Sequence, residues 1–184
     1  MTTPVSTDLY YQLSIPGTVR VSPDGRAVAA VVHELEESGR ERVLWRCTAD
    51  ETHRLTRSSS VSTPRWRPDG RGIAVTDVRE NQAGDESQQV WFFDLRGGDP
   101  HRLTSFETDV ESFDWGPNGE RLVVEATDPE ETDESTEYPR QTSRLQFKSM
   151  SGWRPQESEK LFVINTESGE KRELAETEAT APVT

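Results

Sequence analysis

The chain has 184 residues, enough for one domain or part of a larger one but not for two enzyme-sized cores. Only 31% of residues are hydrophobic against 30% charged, and 34 acids against 21 bases leave a net charge of -13, which repels a phosphate backbone and excludes nucleic acid as the expected partner. No apolar run approaches the roughly 18 residues that a membrane-spanning helix needs.

Leu, Ile, Val and Phe total 36 of 184, just under the one-fifth level that accompanies disorder in highly charged chains, but five tryptophans argue for a folded protein. The bases are 18 Arg and only 3 Lys. Scarce Lys and a thin core alongside the acidity favour adaptation to molar salt, where charge repulsion is screened over about 3 Å, above an ordinary acidic surface. Residues 1–8 hold neither the basic patch nor the apolar core of an export signal, and the single cysteine, Cys47, excludes an internal disulfide. Together these make the cytoplasm the expected compartment.

In chain order, the first extended segment is Val19-Arg20-Val21, followed by the turn Ser22-Pro23-Asp24-Gly25-Arg26 and a β-rich run over 27–32. The turn recurs as Arg67-Pro68-Asp69-Gly70-Arg71 and as Gly116-Pro117-Asn118-Gly119-Glu120, with the prolines 45 and then 49 residues apart. Proline presets φ for the first central position, Asp or Asn suits the second, and Gly accepts positive φ, so each motif predicts a tight turn between two strands. Pro64-Arg65-Trp66 and Ser112-Phe113-Asp114-Trp115 lead into the second and third turns, and 72–78 and 121–126 follow them. Third strands are expected at 42–47, 89–95 and 160–166. Fourth strands follow, where His53-Arg54-Leu55-Thr56 returns as His101-Arg102-Leu103-Thr104 and, more faintly, as Lys171-Arg172-Glu173-Leu174.

Four antiparallel strands in about 45 residues is a propeller blade, and helical periodicity is sustained nowhere. The expected fold is all-β: an incomplete propeller of about three four-stranded blades. Residues 1–17 form an N-terminal arm, 18–57 blade 1, 62–105 blade 2, 110–176 blade 3 with an insertion at 127–159, and 177–184 a disordered tail. The insertion opens with an acidic stretch over 128–137, read as a solvated loop, and continues with Arg144-Leu145-Gln146-Phe147-Lys148 as a further strand. Three blades cannot close a ring, so further blades or self-association are expected to cover the open faces.

The opening Thr7-Asp8-Leu9-Tyr10, the run from Val19 to Ala29, the segment from Pro64 to Gly70, and the inserted Arg144-Leu145-Gln146-Phe147-Lys148 ahead of Trp153 together resemble the N-terminal propeller of prolyl oligopeptidase-family serine peptidases. The branch is the acylaminoacyl-peptidase and dipeptidyl-aminopeptidase group, whose third blade carries a similar arginine-leucine-aromatic-lysine strand. The Pro-Asp-Gly repeat alone is shared with TolB-like propellers. The resemblance covers about residues 7–176 and implies an α/β-hydrolase domain as partner, with the propeller filtering peptide substrates. The alternative is a stand-alone TolB-like interaction protein.

No catalytic, cofactor-binding or metal-binding residue is expected in this chain. It has no Gly-x-Ser-x-Gly nucleophile elbow. His53 and His101 share a repeat position, which repeat geometry explains, and His33 lacks the second histidine of a helical zinc motif. Glu36-Glu37 sits in a polar loop and takes no amine-binding role. Trp45, Trp66, Trp91 and Trp115 fall at repeat positions and are assigned to packing. Trp153, in the insertion, breaks that pattern and is the candidate for contact with substrate or a partner domain. Cys47 is a packing residue. Pro23, Asp24, Gly25, Pro68, Asp69, Gly70, Pro117, Asn118 and Gly119 are structural turn residues.

Overall fold

A computed structural model describes residues 13–36, 39–79, 87–128, 148–149, 152–153 and 158–177. Each Pro-Asp/Asn-Gly motif closes a hairpin. Gly25, Gly70 and Gly119 take φ of 72°, 71° and 68°. Their amides bond back to the carbonyls of Ser22, Arg67 and Gly116, each at 2.9 Å.

Around these turns the chain builds three four-stranded antiparallel sheets. The first contains β1 (Ser14–Val21), β2 (Ala27–Glu36), β3 (Gly39–Thr48) and β4 (Thr52–Ser58), hydrogen-bonded in that order. The second contains β5 (Ser62–Trp66), β6 (Gly72–Asp77), β7 (Gln89–Asp94) and β8 (His101–Arg102). In the third, β9 (Val110–Trp115) pairs with β10 (Arg121–Asp128), and a separate two-stranded piece, β11 (Lys148–Ser149) with β12 (Gly152–Trp153), intervenes before β13 (Ser158–Asn165) and β14 (Lys171–Thr177). The expected all-β arc of three blades is what forms, and among the described residues there is no helix. None is therefore long and apolar enough to cross a membrane.

First strands of neighbouring sheets touch, β1 with β5 and β5 with β9, so these lie on the inner side of the arc and the fourth strands on its rim. The core lies between blades, not within them. Ala29, Val31 and Leu44 of blade 1 meet Ile73, Val75 and Phe93 of blade 2. On its other face blade 2 presents Ala74, Val90 and Phe92 to Phe113, Leu122, Val124, Phe162 and Ile164 of blade 3. This alternation is the period-2 pattern of a strand buried on both faces.

Several expectations shift by a few residues. β1 begins at Ser14, inside the segment 1–17, because the long β2 offers it backbone partners as far as Glu34. Glu36 is not in a loop: it ends β2 opposite Gly39, and its carboxylate is held by Arg57, which also bonds Glu34 at 2.8 Å. The β10–β13 ladder takes in Thr127 with Glu159 and Asp128 with Ser158, so the hairpin extends into the insertion from both ends. β14 carries on through Thr177, again because β13 supplies partners. Arg144-Leu145-Gln146-Phe147, the acidic stretch beyond Asp128, and residues 178–184 lie outside the described residues.

β8 is short for a chemical reason. Pro100 has no amide to donate, and beyond Arg102 the Thr104 hydroxyl replaces the backbone, accepting the Val90 amide at 2.9 Å.

Candidate functional site

The turn residues singled out from the sequence, each between a first and a second strand, lie side by side along one edge of the sheets. Asp24 accepts the Ser22 hydroxyl at 2.6 Å and the Arg26 amide at 3.1 Å, and Asp69 accepts the Arg71 amide at 2.9 Å. The Ser22 hydroxyl, then the Arg26 amide, hold the Asp24 carboxyl below its ordinary range. The first two turns face each other across a cleft of about 490 Å³, lined by Ser22, Asp24, Arg46, Trp66, Asp69 and Leu95 among others.

Arg46 and Leu95 also line a second cleft of about 420 Å³ between the same two blades, beside His53 and the Gly97-Gly98 turn. Neither cleft places a serine beside a histidine, so neither has the nucleophile-and-base pairing that acyl transfer needs. The second and third turns approach closely: a Cβ on Gly119 would stand 2.8 Å from Arg67 Nε. The Arg67 guanidinium lies 6.0 Å from the ring centroids of both Phe92 and Trp115.

His53 and His101 do hold one register position, opposite Arg46 in β3 and Phe92 in β7. Their surroundings differ. His53 Nε2 bonds Glu51 at 2.9 Å, and this bond lowers the Glu51 carboxyl. His101 packs edge-on to Phe92, with centroids 5.4 Å apart. Among the described residues no group of three or more His, Cys, Asp or Glu is placed to hold a metal ion.

The tryptophans do more than fill space. Trp66 and Trp91 pack on the first inter-blade core and Trp115 on the second. The Trp66 indole also donates to the Arg20 carbonyl at 2.9 Å, and the Trp115 indole to the Arg65 carbonyl at 3.4 Å. Trp153 lies on β12 opposite Lys148, and its side chain is outside the described residues.

Two buried polar residues of blade 2 were not singled out from the sequence. Asp77 accepts the hydroxyls of Ser58 and Ser60, the latter at 2.6 Å, and pairs with Arg79 Nε at 2.8 Å. Gln89 donates to the carbonyls of Phe106 and Thr108 and accepts the Thr104 hydroxyl and the Phe106 amide. Aligning the three turns puts Asp77 with Val32 and Ala126. A lone carboxylate at an apolar repeat position was the available signal.

Comparison with known proteins bears on what these surfaces belong to. No family model matches the chain. Over 132 residues, 67% of its length, it is 30% identical to the uncharacterized peptidase YuxL of Bacillus subtilis (strain 168), spanning 19% of that protein. Its fold matches the acylaminoacyl peptidase of Pyrococcus horikoshii with TM-score 0.66 and 19% identity, covering 90% of this chain and 26% of the other. It matches the β-propeller domain of the Trilobed protease from Pyrococcus furiosus with TM-score 0.59 and 17% identity over 90% of this chain and 43% of that one. TolB from Acinetobacter baumannii matches with TM-score 0.57 and 17% identity over 88% of this chain and 32% of that one. The chain thus has the propeller fold, resembles the propeller of these peptidases, and spans only about a fifth to a quarter of the curated relative and the acylaminoacyl peptidase.

Proposed function

We propose that this chain is the N-terminal arc of the substrate-gating propeller of a prolyl oligopeptidase-like serine peptidase of the acylaminoacyl-peptidase or dipeptidyl-aminopeptidase type. It contributes no chemistry itself. Peptides meet it only in a complete enzyme, whose α/β-hydrolase domain supplies nucleophile, base and acid, and which works in the cytoplasm. The observation that carries this reading is the 30% identity to a peptidase across two thirds of the chain, joined to the fold match with acylaminoacyl peptidase. Arcs of this kind filter by closing a ring too narrow for folded proteins, a role that requires packed blades and no reactive groups.

The test is the intact mass of the native product in its source cells, followed by labelling with a serine-reactive fluorophosphonate. A species several times heavier than 20.8 kDa that takes the label supports the reading. A heavy species that stays unlabelled, or a product of 20.8 kDa, overturns it.

A second reading, a stand-alone propeller-fragment interaction protein that self-associates or binds a partner, is favoured by one feature. Val19 and Val21 on β1 are 45% and 63% exposed, and Val123 on β10 is 39% exposed, leaving apolar surface at both ends of the arc. A stable dimer at the native concentration would select it.

A further inference from the structure

One position breaks the repeat in the gap between blades 1 and 2. Arg46 on β3 stands opposite Ala29 on β2, and the equivalent pairs are Ala74–Phe92 in blade 2 and Val123–Val163 in blade 3. Two blades thus fill this position with an apolar side chain, and blade 1 fills it with a cation. A second exchange accompanies the first. The residue before the turn proline is Arg67 in blade 2, whose guanidinium lies over Phe92 and Trp115, but Ser22 in blade 1. A ring and an arginine therefore occupy the second gap where a serine and Arg46 leave space in the first. The glycines of the turns report the difference. A Cβ on Gly119 would meet Arg67 at 2.8 Å, while one on Gly70, its counterpart, would meet nothing within 4 Å.

Arg46 lines both clefts between blades 1 and 2. Its Nε is buried and donates to nothing, and its guanidinium forms no hydrogen bond or ion pair with a described residue. The carboxylates on the cleft walls are engaged elsewhere: Asp24 by Ser22 and the Arg26 amide, Asp69 by the Arg71 amide, and Asp94 by Arg96. Glu51 is near enough for Arg46 to lower its carboxyl, after the larger effect of the His53 bond, but it pairs with His53 at 2.9 Å. A half-buried cation without a hydrogen-bonded counter-ion is costly. The fold does not require it, since the other two blades form with Phe92 and Val163 in its place.

We propose that Arg46 anchors a binding site for a carboxylate ligand, whose apolar part rests against Trp66 and Leu95 in the cleft of about 490 Å³. The planar guanidinium offers a fork of donors that matches the two oxygens of a carboxylate. A phosphate dianion suits the place less, because Asp24 and Asp69 share the cleft walls and repel the second charge. A peptide C-terminus and a small free carboxylic acid present the same group.

Equilibrium dialysis of the whole chain against N-acetyl-leucine, N-acetyl-leucinamide and inorganic phosphate tests the site. The acid should be retained, and the amide and phosphate should bind at least about tenfold more weakly, the scale of one charged hydrogen bond. Arg46→Phe installs the residue that blade 2 already accepts, so the fold survives, which circular dichroism checks. It should lose at least about tenfold in affinity for the acid. Arg46→Lys, which keeps the charge without the fork, should fall between. The tripeptide Ala-Ala-Leu separates the two sources: tighter retention than N-acetyl-leucine assigns a peptide C-terminus, and equal or weaker retention assigns a free acid. No retention of the acid, equal binding of acid and amide, or unchanged affinity in Arg46→Phe would overturn the site. Phosphate binding as tight as the acid would overturn its assignment to carboxylates, and wild-type affinity in Arg46→Lys would overturn the fork. Peptidase activity is not part of the readout, so failure of the peptidase reading leaves this result standing.

Discussion

Asp77 and Gln89 stand opposite each other at the end of the β6–β7 ladder, both buried, and each secures a different connection. Asp77 gathers Ser58 at the end of β4 and Ser60 from the link between blades 1 and 2, while Arg79 reaches on to the Thr56 hydroxyl at 2.8 Å. Gln89 gathers Thr104, Phe106 and Thr108 from the link between blades 2 and 3. One cross-strand pair thus ties the middle blade to both neighbours.

Removing either partner leaves buried polar groups unsatisfied, which costs more than the bond itself contributes. Asp77→Ala takes that acceptor from Arg79 and two serines, and its expected cost is about 1–3 kcal/mol, the penalty for buried polar groups left unsatisfied. Gln89→Leu strands the Phe106 amide, and its expected cost is about 1–3 kcal/mol. Urea denaturation monitored by tryptophan fluorescence measures both. A loss under about 0.5 kcal/mol for Asp77→Ala, the scale of a neutral surface change, would refute the lock.

Two glycines test two kinds of constraint. A Cβ on Gly72 would lie 2.1 Å from Phe92 Cζ, so Gly72→Ala should overpack the core by about 1–3 kcal/mol. Gly70 has open space around it but a φ of 71°, so Gly70→Val should cost about 1–2 kcal/mol through backbone strain alone. Adding Phe92→Leu should relieve part of the first, since the Phe93 carbonyl 2.7 Å from that Cβ remains, and leave the second unchanged. Equal responses of the two variants to Phe92→Leu would collapse the distinction.

The blades were legible in the sequence because turn chemistry is local: proline, Asp or Asn, and glycine at fixed offsets dictate a hairpin whatever surrounds it. The tryptophans were legible as packing for the same reason, recurrence at one offset. Their indole bonds were not, because the acceptors, Arg20 and Arg65, lie a whole blade earlier. Asp77 and Gln89 escaped notice because a polar residue at a strand end is ordinarily solvated, and only the linkers folded over them make it buried.

Acid response follows from Asp94, whose carboxyl is held well below its usual range by the side chain and then the amide of Arg96. A depressed folded pKa contributes stability that is present above the unfolded value, near 3.9, and lost as pH falls through the folded value. Asp24 and Glu51 shift in the same direction. Stability should therefore hold from neutral pH to about 5 and decline below about 4. Asp94→Asn should flatten that decline slightly, since the pair is solvent-exposed and screened. Parallel urea midpoints for wild type and variant from pH 5 to 2.5 would show that the pair contributes nothing.

The net charge of -13 sets an ionic-strength response. Raising KCl from 0.1 to 1 M shortens the screening length from about 10 to about 3 Å and weakens repulsion among the carboxylates. The denaturation midpoint and the β signal in circular dichroism should rise across that series. A fully ordered spectrum in dilute buffer with no further gain would refute adaptation to molar salt.

Because blade 2 contributes to both inter-blade cores, the molecule has a hierarchy of openings. Stability in stacked repeats is a sum of nearest-neighbour interfaces. Detaching blade 1 sacrifices one interface and leaves the other, whereas loosening β6 and β7 sacrifices both at once. Amide protons of β6 and β7 should therefore exchange last, at the free energy of global unfolding, while those of β1 exchange through a partial opening that leaves blades 2 and 3 together.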